Sequence, residues 1–392
     1  MADLTAAART LGSWIVDAYD LWWTRGADHV NGGFHERLNQ DGSPTHEPRR
    51  ARLHPRQMFA YSHAAKLGWS GPATTAVEHG LKFFLARYRR PDGLFRALVA
   101  PGGESLSDTV LLYDQAFALL GLAAAHATLA DETPRQVAHE LHDLLRSRFA
   151  HRSIGFEETL ARDTPLSANS HMHLFEASLA WAELDESSCW SDLAAELADL
   201  ATTRVINLRS GALIETFGPD WQPVSGAVSS VEPGHQFEWA WLLLRGRARR
   251  ECPGSLSTAL RLIEIGETHG VDRARHAVIA ALDQDLRVRD TNARLWPQCE
   301  RIKAARMAFA TTGDERYQEI ALEGAQTLLT YLETPVRGLW RDRLDHSGAF
   351  IEEPAPASSF YHIVGAVLEL NASLPRHESP TDYRRGAAGS AC

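Results

Sequence analysis

Three stretches of the chain place histidine at the start of an apolar run. They are Asn169-Ser170-His171-Met172-His173-Leu174-Phe175-Glu176, Glu232-Pro233-Gly234-His235-Gln236-Phe237-Glu238 and Ala357-Ser358-Ser359-Phe360-Tyr361-His362. His173 and Glu176 stand three residues apart, as do His235 and Glu238. On a helix that spacing puts both side chains on one face, within hydrogen-bond reach. A carboxylate partner selects the imidazole tautomer and raises its basicity, and imidazole titrates near neutral pH. Such pairs suit general acid/base proton transfer. A dinuclear metal site is the rival reading. However, di-metal helical bundles use Glu-x-x-His with two further inward glutamates. The two pairs singled out here run His-x-x-Glu and no His-Glu-x-x-His occurs, so no metal is expected.

Other polar residues interrupt apolar helix starts. Arg56 follows Pro55, which suits the first turn of a helix, and precedes Met58, Phe59 and Tyr61. A guanidinium in such a setting must find partners, because an unpaired buried cation is costly. A structural glutamate or substrate oxygens could supply them. Tyr113-Asp114-Gln115 and Trp296-Pro297-Gln298-Cys299-Glu300 are similar insertions. Phosphate-loop, dinucleotide-binding and serine-elbow motifs do not occur, so no nucleotide cofactor or serine hydrolysis is expected.

These residues need a scaffold, and the chain reads as one built of helices. It has 392 residues, 44% hydrophobic and 23% charged, with a net charge of -10. That acidity argues against a nucleic-acid partner, which would need a basic stripe. No apolar run reaches membrane-spanning length, and no secretory leader is evident. The four cysteines form no Cys-x-x-Cys pair, so a reduced, cytoplasmic protein is expected. Apolar periodicity predicts helices over 5–23, 55–67, 73–88, 109–129, 134–149, 172–184, 191–205, 235–250, 255–269, 272–285, 297–310, 316–332 and 359–374. No Val/Ile-rich strands alternate with them, which excludes a parallel α/β sheet.

Between the helices a small residue is repeatedly followed by an apolar or aromatic one. Gly33-Phe34, Gly93-Leu94-Phe95, Gly155-Phe156, Gly211-Ala212-Leu213, Ala293-Arg294-Leu295-Trp296 and Gly338-Leu339-Trp340 recur at a mean spacing of 61 residues. Each interval holds two helices. Helical hairpins cannot bury a core alone and must stack or close on one another. Closing six of them predicts an all-α fold, an (α/α)6 barrel or toroid, with short β-hairpin loops at one end. Residues 1–375 read as a single domain, and the polar 376–392 as a disordered tail.

With these stretches in view, residues 10–372 resemble the N-acylglucosamine 2-epimerase superfamily. The resemblance rests on Asn169 to Glu176, Pro233-Gly234-His235 to Leu243, Trp296-Pro297-Gln298 with Glu300, and Tyr361-His362. It implies the (α/α)6 fold, a small monosaccharide substrate and no cofactor. His362 and His235 would be the acid/base pair acting at C2 of an open-chain aldose. His173 would assist ring opening or bind substrate, and Glu238 would orient His235. Arg56 would hold sugar oxygens and stabilise the enediolate. Tyr113, Asn169, Glu176, Trp296, Gln298 and Glu300 would line the pocket. The segment Ala357 to His362 looks like the mannose isomerase branch of the family. That favours a metal-independent aldose–ketose isomerase for D-mannose and D-fructose, and for D-lyxose and D-xylulose. The alternative is a sugar 2-epimerase. A two-carboxylate glycoside hydrolase and a non-catalytic sugar-binding toroid are more distant readings. No second basic cluster lies near these motifs in the sequence, which argues against a phosphorylated substrate. A monomer or homodimer is expected.

Overall fold

The computed structural model describes residues 2–224, 230–247 and 254–372. The expected tail, together with Cys252 and Cys392, lies outside the described residues. Twelve α-helices occur among those described: α1 (Ala2–Leu21), α2 (Leu53–Ser62), α3 (Ala73–Arg87), α4 (Leu112–Thr128), α5 (Thr133–Leu144), α6 (Ala168–Leu184), α7 (Ser188–Leu200), α8 (Pro233–Arg247), α9 (Ser255–His269), α10 (Leu295–Thr312), α11 (Arg316–Tyr331) and α12 (Phe360–Asn371). The even-numbered helices form an inner ring, each packed on the next, and α12 returns to α2. The odd-numbered helices pack outside. This is the (α/α)6 barrel.

Burial pattern explains which helix goes where. Outer helix α5 buries Pro134, Val137, Ala138, Leu141 and His142, the stripe of an amphipathic helix. Inner helix α4 buries an unbroken run from Asp114 to Ala125, because both its faces are covered. The described apolar residues of all twelve helices join one core cluster.

One predicted helix is absent. Residues 272–285 form short antiparallel pairs instead: Val271–Asp272 with Ala277–Val278, and Ala281–Leu282 with Val288–Asp290. Apolar spacing alone could not show this. The Asp272 carboxylate accepts hydrogen bonds from the Ala274 and Arg275 amides at 2.9 and 3.3 Å, which closes a turn where a helix would have to continue. The fifth loop repeat is therefore His276-Ala277-Val278, with His276 at φ 54°, rather than Ala293 to Trp296. Ala293–Arg294 forms a rim strand paired with Arg343–Leu344.

The rim strands mostly join neighbouring hairpins rather than closing hairpins of their own. Arg37–Leu38 pairs with Ala355–Pro356, tying the first loop of the ring to the last. Arg49–Arg50 pairs with Leu98–Val99, and Leu166–Ser167 with Thr216–Phe217.

The loop repeats are clamped to the inner helices by one recurring device. His54 Nε2 accepts from the Phe34 amide at 3.2 Å, and His171 Nε2 from the Phe156 amide at 3.0 Å. Gln115, Gln236 and Gln298 each accept from one backbone amide, of Phe95, Leu213 and Val278, and donate back to the same residue's carbonyl. These contacts satisfy buried backbone groups of the loop repeats. A Cβ on Gly33 would stand 2.4 Å from His54 Nε2, and φ there is 70°, so this turn requires glycine. Two residues after each clamp stand Arg56, Phe117, His173, Glu238 and Glu300. The clamps thus set the height at which the inner helices present side chains to the axis.

Candidate active site

A polar cavity of about 290 Å³ opens where the inner helices begin. His173, His235, Glu238, Trp296 and His362 line it, with Arg56, Tyr113 and Asn169. Arg50, Arg52, Glu232, Arg294, Ser358 and Ser359 complete its wall. A second cavity of about 320 Å³ lies between α6, α7, α8 and α9, lined by Phe175, Leu179 and Leu243 among others. Its walls carry neither imidazole nor carboxylate, so the chemistry belongs to the polar one.

The helix starts explain the placement. Ser167 caps α6, its side chain accepting from the Asn169 amide at 3.2 Å, and this puts His173 in the second turn. Pro233 opens α8 and places His235 in the first turn. Trp296 stands in the first turn of α10, its ring centroid 5.0 Å from that of His235 and 5.5 Å from that of His362. The indole therefore lies against both imidazoles.

The two imidazoles have opposite electrostatic settings. His235 Nδ1 lies 2.9 Å from Glu215 Oε2 and 3.6 Å from Glu232 Oε2. Burial opposes charge on His235, but Glu215 and Glu232 outweigh it and raise its pKa to about 10. His235 is thus an imidazolium at neutral pH. His362 Nδ1 lies 2.7 Å from Glu300 Oε1. There burial, reinforced by Arg56 and Lys303, holds the pKa well below the usual histidine value. His362 is neutral, its Nδ1–H donating to Glu300, which leaves the lone pair on Nε2. His173 Nδ1 lies 3.2 Å from Glu176 Oε2. Burial lowers its pKa to about 4 against the pull of Glu176.

Beneath the cavity floor Lys303 lies 2.7 Å from the other oxygen of Glu300 and 3.7 Å from the centroid of Trp241. It is fully buried among Glu176, Glu238 and Glu300, whose charges raise its pKa against the effect of burial. Burial, followed by the repulsion of Glu300, raises Glu238 well above the carboxylate range. Arg56 donates to the Tyr113 hydroxyl at 3.0 Å, and its guanidinium carbon lies 4.2 Å over Phe117. Among the described residues no carboxylate pairs with it. A buried cation left in this state is suited to an anionic ligand oxygen.

Four assignments change. Glu238 does not orient His235: Glu215, from the preceding loop, makes that contact, while Glu238 lies 4.0 Å from His173 Nδ1. Gln298 does not line the cavity: its amide is engaged by Val278 and the Arg294 carbonyl. Glu176 and Glu300 also stand behind the wall, each holding a histidine. The missed residues had a signal in the loop repeats. Glu158, Glu215 and Asp342 each follow a repeat and reach forward to the next inner helix, bonding Ser170, His235 and Ser359. As a structural clamp, Gln298 carries a prediction. Gln298→Met strips two buried backbone groups of partners and lowers unfolding free energy by roughly 3 kcal/mol, without changing KM. Urea unfolding alongside KM checks this, and a raised KM at unaltered stability would return the amide to the substrate.

Residues 32–366 match the family model described as N-acylglucosamine 2-epimerase. The chain belongs to the N-acylglucosamine 2-epimerase family. It is accordingly an enzyme of the sugar isomerase and epimerase kind. The chain is 44% identical to a mannose-6-phosphate isomerase of Rhizobium meliloti (strain 1021), over 95% of this chain and 99% of that one. It is 31% identical to a D-mannose isomerase of Thermobifida fusca, over 81% and 83% of the two chains. A crystal structure of a D-mannose isomerase superposes with a TM-score of 0.85 at 23% identity, covering 93% of this chain and 98% of the other. That likeness establishes the fold. Among the described residues of this family member, no helix is long and apolar enough to cross a membrane.

Proposed function

We propose that the enzyme is an aldose–ketose isomerase that interconverts a mannose-configured aldose and the fructose-configured ketose through an enediol. D-Lyxose and D-xylulose would fit the same chemistry. The observation that carries this reading is the pair of imidazoles in one cavity, one neutral and one charged. His362 Nε2 takes the proton from C2 of the open-chain aldehyde. His235 donates its proton to O1 as the double bond shifts, giving the enediol. His362 then returns its proton to C1, and the O2 proton passes to His235, which leaves the ketose. Arg56 and Tyr113 hold the oxygens on which negative charge builds. His173, neutral beside Glu176, assists ring opening. A 2-epimerase would use the same pair differently, with protonated His235 delivering its proton to the opposite face of C2, and the product distinguishes the two outcomes.

The reaction proceeds without metal in this proposal. Three acid-and-histidine groups lie close enough to ligate an ion: His173 with Glu176 and Glu238, Glu215 with Glu232 and His235, and Glu238 with Glu300 and His362. In two of them Lys303 already supplies the compensating cation. One relative is named for mannose 6-phosphate and the other for D-mannose, and the same C1–C2 chemistry serves both. A proton NMR time course with mannose in D2O containing EDTA tests the proposal. Fructose is expected, with deuterium at C1 in those turnovers where the proton on His362 exchanges with solvent before it is returned. Glucose with deuterium at C2 would make the enzyme an epimerase. Loss of turnover in EDTA, restored by a divalent ion, would overturn metal independence.

A further inference from the structure

We propose that Arg50, Arg52 and Arg294, with Ser358, form a seat for a phosphate on the far end of the sugar, so that the preferred substrate is a hexose 6-phosphate. This rests on the isomerase reading above and adds the group that the substrate carries at C6.

The argument starts from charge. The chain is acidic, with a net charge of -10, yet four arginines line the one cavity that holds the histidines. Arg56 is used by the chemistry. The other three stand at the rim, on strands or just after them, whereas the histidines stand on helices. Arg50 lies in the strand Arg49–Arg50, Arg294 in the strand Ala293–Arg294, and Arg52 immediately before α2. C6 is the carbon farthest along the chain from C1 and C2, so a substrate reacting at helix level presents C6 to the rim.

Space points the same way. A neighbouring cavity of about 280 Å³ shares Arg50, Arg294 and Ser358 with the first and continues past them. The site therefore extends beyond the space lined by the histidines, and the shared wall is cationic.

The guanidinium groups are held yet not exhausted. Arg50 is paired with Glu36 from behind. Arg294 contacts Asp342 at 3.3 Å. Arg52 has a single carboxylate contact, to Asp114 at 3.7 Å, and its carbon lies 4.9 Å over the Tyr113 ring. Each guanidinium carries five donors, so N–H groups remain for a ligand. Planar forks of this kind match phosphate oxygens two at a time. A neutral hydroxymethyl group would not use three clustered cations.

The test compares the full-length enzyme on mannose 6-phosphate and on mannose. The expected kcat/KM ratio is at least about 100 in favour of the phosphate ester. Inorganic phosphate should inhibit competitively against the ester. The double variant Arg52→Met, Arg294→Met should lower the ratio at least tenfold, and Arg52→Lys, Arg294→Lys should lower it less. Equal kcat/KM on the two sugars would overturn the proposal, as would a ratio that the methionine variant leaves unchanged. Calorimetric binding of mannitol 1-phosphate against mannitol separates the seat from the chemistry. Tight, arginine-dependent binding of the phosphate in an enzyme that isomerises neither sugar would sustain the seat and sink the isomerase reading. Equal binding of the two polyols would sink the seat alone. Circular dichroism establishes that the variants fold.

Discussion

Replacing His362 by asparagine lowers kcat by about 1,000-fold, within the range expected for loss of a general base. The asparagine amide can still donate to Glu300, as Nδ1–H does at 2.7 Å, so the packing around Glu300 and Lys303 survives. What disappears is the lone pair on Nε2. KM should change little, because Arg56, Tyr113, Asn169 and Trp296 still line the cavity. The direct readout is exchange of the C2 proton of the aldose with D2O. It should fall with kcat, since exchange needs the same proton removal. Exchange persisting within about tenfold of the parent enzyme would remove His362 from the base role.

Glu215→Gln produces the second large effect, and it appears as a change in pH dependence. In the parent enzyme, activity rises with pH as His362 loses its proton, at a value below the ordinary histidine range. It falls only as His235 deprotonates near pH 10. Burial alone would depress His235, and the Glu215 carboxylate is the largest influence holding it up. The glutamine cannot do so. If His235 returns to about 6.5, its protonated fraction at pH 8.5 is about 100-fold smaller, and kcat falls in proportion. At low pH the loss is smaller. An alkaline limb that stays near pH 10 in the variant would rule out this role for Glu215. Stability should respond in the same window. His235 has a folded pKa above its unfolded one, so its contribution is complete below about 6.5 and is lost as pH rises towards about 10. Thermal unfolding of the parent should therefore weaken across that range, and the variant should show a flatter profile.

The expectations that held were those carried by local pattern. Twelve helices followed from apolar periodicity, because a helix buries a stripe that repeats every few residues. The six-hairpin ring followed from loop spacing, because a hairpin must share its core with neighbours. The His173–Glu176 contact was legible, because both residues lie on one helix, three apart. Failures came where a turn residue competed with the pattern, as Asp272 did within the predicted helix over 272–285.

By itself, then, the sequence determined the barrel, the histidines at the helix starts and their suitability for moving protons. These depend on residue type and near-neighbour spacing, which a linear chain displays. Only the tertiary structure decided which acid serves which histidine. Glu215 comes to His235 from 20 residues away and Glu300 to His362 from 62, through loop and ring closure. Their contacts make one imidazole a cation while the other stays neutral. Closure also brings the distant Arg294 beside Arg50, Arg52 and Arg56 in one cavity, a meeting that the chain order does not display. Charge acts through space, over a few ångströms, and is indifferent to the length of chain between the groups.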